Sequence, residues 1–431
     1  MTIPAIDRPD AARPFALVPN RAARRDAPWT AAQDAILNDA ALAAARETIG
    51  GWAGYAPTPL RPLPGLAAEA GVGALWWKDE GPRFGLGSFK ALGGAYAVAR
   101  TLARAAEAEG APVAMADIVA GRAAVAGRVT VCCATDGNHG RSVAWGAGRF
   151  GCRCVIFIHE TVSEGRKAAI EAYGAEVRRV AGNYDDSVRE AEATAAREGW
   201  TVVSDTSWPG YMEIPKDVMQ GYELMAAEAF DALPAPPTHI VLQTGVGGMA
   251  AAVAALAVRR WGAARPLILL ADPDRSACWV DSFRAGAPTA VTGDLDTLMA
   301  GLACGEVSAL AWAILKDHAD AALALPDAGA VEGMRRLACP PPPDPPVVAG
   351  ESATAGLAAL LAAMDDPAAR AALGLGGDSR VLLFGTEADT DPDLYADLVG
   401  ATGDAIRARA AAEARARRAP RDGAPAARTI G

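Results

Sequence analysis

Lys90 is the residue whose chemistry this sequence most invites. Only five lysines (Lys78, Lys90, Lys167, Lys216 and Lys316) stand among 41 basic residues, and a guanidinium cannot form the imine that an unprotonated lysine amine forms. Lys90 lies in LWWKDEGPRFGLGSFKALGGAYAVARTLA, residues 75–103. There an apolar run ends in Lys78-Asp79-Glu80, a glycine-rich loop follows, and a helix begins with Leu92, Tyr96, Val98 and Leu102 on its apolar face. Low polarity and a positive helix start disfavour the ammonium, so the sequence predicts a lysine rich in free amine, with Ser88 placed to cap the helix. A solvated first-turn lysine is the competing reading that the residues leave open.

Three other stretches pair a strand end with polar or glycine-rich turns. In VTVCCATDGNHGRSVAWGAGRFG, residues 129–151, the loop Thr135-Asp136-Gly137-Asn138-His139-Gly140 follows a β-rich run and opens a helix. Backbone N–H groups and short side chains there suit a carboxylate, although a polar turn capped by Asp136 or Asn138 explains the same residues. In THIVLQTGVGGMAAAVAALAV, residues 238–258, the N–H groups of Gly245, Val246, Gly247, Gly248 and Met249 can close on a phosphate. Gly245, Gly247 and Ala250 also satisfy G-x-G-x-x-A, and Asp272 ends the next strand, so a dinucleotide fold competes. In SRVLLFGTEADTDPDLY, residues 379–395, Thr386 ends an apolar strand where a hydroxyl can bond a ring nitrogen, or equally cap a turn.

Stepping outward from these residues, short β-rich runs alternate with alanine-rich helical segments, an α/β pattern with mostly parallel sheets flanked by helices. At 431 residues, 51% hydrophobic and 21% charged, the chain can bury a core and divide into two domains. A net charge of −10 disfavours nucleic acid as a partner. No apolar stretch reaches bilayer length, and the N-terminus lacks a signal pattern, which predicts a cytoplasmic protein without a membrane partner. Seven cysteines without zinc-ligand spacing predict intracellular thiols and no metal. Both chain ends are expected to be peripheral, and CPPPPDPPVVAGES (339–352) an extended surface crossing.

Taken in this order, the stretches resemble the fold-type II enzymes of pyridoxal 5′-phosphate, the group of threonine dehydratase and the tryptophan synthase β-subunit, over about 35–400. The strings KDEGPRFGLGSFKALGG, ATDGNHGRSVAWGA, DTSWPGYMEIPKDVMQGY, TLMAGLACGE and GTEADTDPDLY resemble the diaminopropionate ammonia-lyases within that group. Gly87 and Ser207-Trp208-Pro209 depart from that family's usual asparagine and Ala-Trp-Glu. The resemblance implies a large cofactor domain from 1–97 and 221–403, a small domain from 98–220, a C-terminal helix and tail from 404–431 and a homodimer.

It further implies that Lys90 carries the cofactor as a Schiff base, with Phe89, Asn138, Gly245, Val246, Gly247, Gly248, Met249 and Thr386 around it. Thr135, Asn138, His139 and Asp205 receive a small amino-acid substrate, and Lys90 and Asp136 act as bases on opposite faces. Asp136 occupies a position that is usually serine in the dehydratases, and it favours an amine leaving group. The implied reaction is β-elimination of ammonia from D- or L-2,3-diaminopropionate, giving pyruvate and two ammonia. A serine or threonine dehydratase, a β-replacement synthase, a dinucleotide-dependent oxidoreductase and an inactive ligand-binding relative are the competing readings. Cys278 and Cys304 are expected to approach each other in the cofactor domain.

Overall fold

The structure, a computed structural model, describes residues 3, 15–135, 137–162, 164–182 and 184–418. Among these, the β-rich runs form strands β1 (Ala16–Pro19), β2 (Leu60–Pro62), β3 (Ala74–Asp79), β4 (Thr130–Ala134), β5 (Arg153–His159), β6 (Glu176–Val180), β7 (Thr201–Val202), β8 (His239–Gln243), β9 (Leu267–Pro273), β10 (Ala321–Leu325) and β11 (Arg380–Gly385). β8, β9 and β10 are buried at every residue, which is why apolar residues run on through 240–242, 267–271 and 321–325 instead of alternating with polar ones.

Two sheets result, in the order β1-β10-β9-β8-β11-β3-β2 and β6-β5-β4-β7. The smaller is parallel throughout. The larger is parallel from β10 to β3 and has an antiparallel strand at each edge. The α/β class with mostly parallel sheets is therefore the observed one.

Two expectations about the periphery fail. The N-terminal region contributes β1, with Ala16, Leu17 and Val18 buried against β10, because an all-apolar ALAL edge needs cover. The 339–352 crossing begins at the surface but turns inward: Val347, Ala349, Glu351 and Ser352 are buried, since its apolar half has a core to enter.

The helices Ala91–Ala108 and Glu213–Ala232, within which residues 97 and 220 fall, pack on each other and carry the chain between the sheets. Their separation is set by missing side chains. A Cβ on Gly221 would lie 1.8 Å from the Leu92 carbonyl oxygen, and one on Gly94 would lie 2.0 Å from Ser142 Oγ on the helix Asn138–Phe150. Small residues here let the backbones approach and fix where the Lys90 helix starts.

A buried ion network fixes the loop before it. Lys78 and Arg83 each contact Glu228 at 2.6 Å, and Arg83 contacts Glu80 at 2.8 Å; all four side chains are at most 5% exposed. Burial pushes Glu80 up, but Arg83 and then Lys78 outweigh it and hold the carboxyl below its ordinary value. Two cations and two carboxylates balance, so Glu228→Ala strands one buried positive charge. The expected cost is about 3–5 kcal/mol, read as a fall in the urea midpoint; a loss below about 1 kcal/mol would contradict the network's role.

Candidate active site

The five parallel strands of the larger sheet end on one edge, where loops after β3, β8 and β11 meet the loop after β4. Ligands of open α/β sheets bind at such carboxyl edges. Lys90 arrives there as the residue preceding its helix, with its carbonyl accepting the N–H of Gly94 at 2.8 Å. No side chain caps this helix. Ser88 instead bridges to Glu387, so the expected serine cap is replaced by backbone pairing to the end of β11.

Lys90 Nζ lies 2.5 Å from Asp205 Oδ2, with the pair about one-fifth exposed. Burial pushes the lysine down, but the Asp205 carboxylate more than offsets it and the ammonium is favoured. This overturns the expectation of a lysine rich in free amine: a partner 115 positions away in sequence decides the balance. Burial likewise pushes Asp205 up, and the Lys90 charge holds it well below the usual carboxylate range. The rings of Phe89 and Tyr222 flank the amine, with centroids 5.4 and 5.8 Å away. The Tyr222 hydroxyl is buried beside the amine, and burial pushes its titration up.

Asp136 lies outside the described residues. On either side of it, Thr135 Oγ1 accepts the N–H of Gly137 at 3.2 Å, and Asn138 turns its side-chain nitrogen to Glu387 at 2.6 Å. His139 is less open than a substrate ligand needs to be. Its ring is buried, Nε2 is 2.8 Å from the Val203 carbonyl, and Nδ1 is 3.8 Å from Asp205. Burial pushes His139 below its ordinary value. A neutral ring then donates from Nε2 to the Val203 carbonyl, leaving Nδ1 as an unprotonated acceptor that makes no hydrogen bond to the Asp205 carboxylate.

Gly247 adopts a left-handed conformation at φ +95° and precedes the helix Gly248–Trp261. A Cβ there would lie 2.3 Å from Trp279 Cζ2. Trp279 braces the loop by donating its indole N–H to the Gly245 carbonyl at 3.0 Å. The first N–H groups of the helix have no intrahelical acceptor and face outward with the positive end of the dipole.

Asp272 sits beneath this loop, fully buried. It accepts the backbone N–H groups of Trp279 and Val280 at 2.9 and 3.1 Å, and the Thr244 hydroxyl as well. An acid consumed as an internal brace cannot receive a ribose, which removes the structural support for a dinucleotide site. Gly247→Ala should add about 1–3 kcal/mol of backbone strain besides the Trp279 contact. The dissociation constant of a phosphate-bearing cofactor should then rise at least about tenfold in a dialysis titration. Unchanged affinity would place the phosphate elsewhere.

Thr386 is 5% exposed at the end of β11, and its backbone carbonyl accepts the N–H of Phe89 at 3.1 Å. Gln243 Nε2 donates to Thr386 Oγ1 at 2.7 Å. An oxygen that already accepts leaves its own proton free to give, which suits a ring nitrogen. Cys278 and Cys304 both lie against Gly245. Cys278 Sγ is 3.6 Å from its carbonyl, a Cβ on Gly245 would lie 3.0 Å from Cys304 Sγ, and both thiols are free.

Sequence reading missed Gln243, Tyr222 and Glu387. Gln243 left one signal, a polar residue closing the apolar run Ile240-Val241-Leu242. The glycine cradle, the free hydroxyl proton of Thr386 and the amine of Lys90 on one edge together fit pyridoxal phosphate.

Comparison with known proteins agrees with this fit. The family described as pyridoxal-phosphate dependent enzyme matches residues 52–387. A diaminopropionate ammonia-lyase from Salmonella typhimurium is 39% identical over 360 residues, covering 80% of this chain and 88% of that enzyme. The holo diaminopropionate ammonia-lyase of Escherichia coli superposes with a TM-score of 0.80 at 36% identity, covering 90% of this chain and 97% of its own. The same enzyme in complex with D-serine gives a TM-score of 0.79 at 34% identity, covering 93% and 98%.

Proposed function

The chain belongs to the pyridoxal-phosphate-dependent enzymes and groups with their diaminopropionate ammonia-lyases, and from that premise we propose that it converts 2,3-diaminopropionate and one water into pyruvate and two ammonia. The observation that carries this reading is the Asp205 carboxylate 2.5 Å from Lys90 Nζ. A fixed anion beside the reactive amine is where a substrate with a second ammonium gains most, and where a hydroxyl substrate gains least.

Bound pyridoxal phosphate supplies an electron sink that acidifies the Cα proton of the attached amino acid. Lys90 would hold it through its amine, residues Gly245 to Met249 would donate N–H groups to its phosphate, and Thr386 would donate to its ring nitrogen. Phe89 and Asn138 would keep the ring in place. Thr135 and neighbouring N–H groups receive the substrate carboxylate. Asp205 exchanges Lys90 for the distal ammonium of the substrate, with His139 buried behind it. The freed Lys90 amine then takes the Cα proton on one face, and Asp136 serves the other face. The distal ammonium leaves as ammonia with the protons it already carries, while Lys90 or Asp136 keeps the proton taken from Cα.

A coupled pyruvate assay across D- and L-diaminopropionate, D- and L-serine and L-threonine tests the reading. Diaminopropionate should exceed the hydroxyl substrates by about 10²-fold or more in kcat/KM. Serine or threonine turning over faster would make the protein a dehydratase. The same reading makes the protein a cytoplasmic homodimer, which equilibrium sedimentation of the holoenzyme checks. Among the described residues no helix is long and apolar enough to cross a membrane.

A further inference from the structure

Glu387 follows Thr386 at the end of β11 and is 6% exposed. Its Oε1 accepts the backbone N–H of Ser352 at 3.1 Å, and its Oε2 accepts the Asn138 side-chain amide at 2.6 Å. The residue thus joins the larger sheet to the loop that opens the Asn138 helix. Gly350 makes the approach possible, since a Cβ there would lie 2.9 Å from Glu387 Oε1. Glu351, itself 8% exposed, brings a second carboxyl to the same interior.

A carboxamide has a donor end and an acceptor end of nearly equal size, and only its partners decide which way it points. A carboxylate is acceptor-only on both oxygens, so it admits a single orientation of Asn138. We propose that Glu387 is a positioning residue of the elimination: by accepting from Ser352 and Asn138 together, it fixes which end of the Asn138 amide meets the cofactor and substrate. The proposal rests on the pyridoxal phosphate reading above.

The two donors, rather than the local balance of charge, hold Glu387 in that role. Burial raises it above the ordinary carboxyl value, and the hydrogen bonds from Ser352 and Asn138 and the Lys90 charge offset only part of that. Burial, then the Glu387 charge, push Glu351 up to about 8, opposed by Arg166 and aided by Asp391. Both Glu387 oxygens face donors, the Ser352 N–H and the Asn138 amide, and the acceptor-only carboxylate is the form that satisfies the two together.

Glutamine at 387 has one oxygen for two donors, so Glu387→Gln deprives one of them or turns the Asn138 amide over. The test is a double-mutant cycle on holoenzymes: wild type, Glu387→Gln, Asn138→Ala and the double variant. It is read by kcat, KM, the wavelength of the visible cofactor band and cofactor retained on dialysis.

Glu387→Gln should lower kcat by about 10–100-fold and move the band, with KM and retention much less affected, as misplacement of a group near the chemistry does. In the Asn138→Ala background the same change should alter kcat by less than about twofold and leave the band where it is. Effects that multiply in the double variant would overturn the proposal, as would Glu387→Gln with the wild-type kcat and band. If the glutamine variant does not fold, Glu387→Asp, which withdraws both oxygens by one methylene, takes its place in the same cycle with the same two outcomes. The wild-type band and turnover test the cofactor reading by themselves, so a failed cycle with both present falls on Glu387 alone.

Discussion

Alanine at position 90 is expected to abolish pyruvate formation and the visible cofactor band together. Lys90 is assigned two tasks, holding the cofactor through its amine and moving the Cα proton, and general-base catalysis alone contributes about 10²–10⁴-fold. Loss of both should take turnover down by at least about 10⁴-fold. No other lysine is placed to substitute. Lys78 is 1% exposed and bound to Glu228, Lys167 and Lys216 pair with surface glutamates within four residues of themselves, and Lys316 lies in the last turn of the helix Ala309–His318.

The alanine variant also strips Asp205 of the charge that holds its carboxyl low, so a second variant must separate chemistry from electrostatics. Lys90→Arg keeps a cation for Asp205 and cannot form the imine. It should fold and bind cofactor loosely, yet remain as inactive as the alanine variant. Coupled pyruvate assays, spectra after desalting, and borohydride reduction followed by peptide mapping check the set. Recovery of more than about one per cent of wild-type rate by either variant would refute the assignment.

Asp136→Asn should divide the enantiomers of diaminopropionate. Asparagine preserves size and hydrogen bonding at that position but cannot accept a proton at neutral pH. If Asp136 serves the face opposite Lys90, the D-isomer should lose about 10²–10⁴-fold in kcat while the L-isomer, served by Lys90, loses far less. The cofactor band should persist, because holding the ring falls to Asn138, Thr386 and the glycine loop. Initial rates with each purified enantiomer decide the matter. Equal losses would make Asp136 a shared proton donor or an organiser of the carboxylate loop, and equal retention would leave it a turn residue.

Much of this site was legible because its parts are local. A strand, a glycine turn and a helix start are contiguous in sequence, so Lys90, Asn138, the run from Gly245 to Met249 and Thr386 announced themselves as strand-end residues. What was not legible is set by contacts across long stretches of chain. The ammonium state of Lys90 depends on Asp205, 115 residues on, and the orientation of Asn138 on Glu387, 249 residues on. Local polarity rules pointed the wrong way for Lys90 because they saw the helix start and not the carboxylate. Asp272 resembled a ribose ligand for a similar reason: only the fold reveals that Trp279, Val280 and Thr244 already occupy it. The burial of β1 and of the 346–352 segment was hidden because each gains its core neighbours from distant strands.

The short strand Ala16–Pro19 has a bearing on handling the protein. It occupies the outer side of Ala321–Leu325, a strand of alanine and leucine with no charge of its own. Without that cover, a row of unpaired N–H and C=O groups on an apolar ribbon would face solvent, a ready template for pairing with another copy. Proline at position 19 ends the cover on its outermost element, where a missing N–H does least harm. Shortened forms that begin after Asn20 would therefore be expected to lose solubility before they lose chemistry, although the site lies on other loops. An expression boundary is better set upstream of Phe15, whose side chain is 2% exposed and belongs to the core.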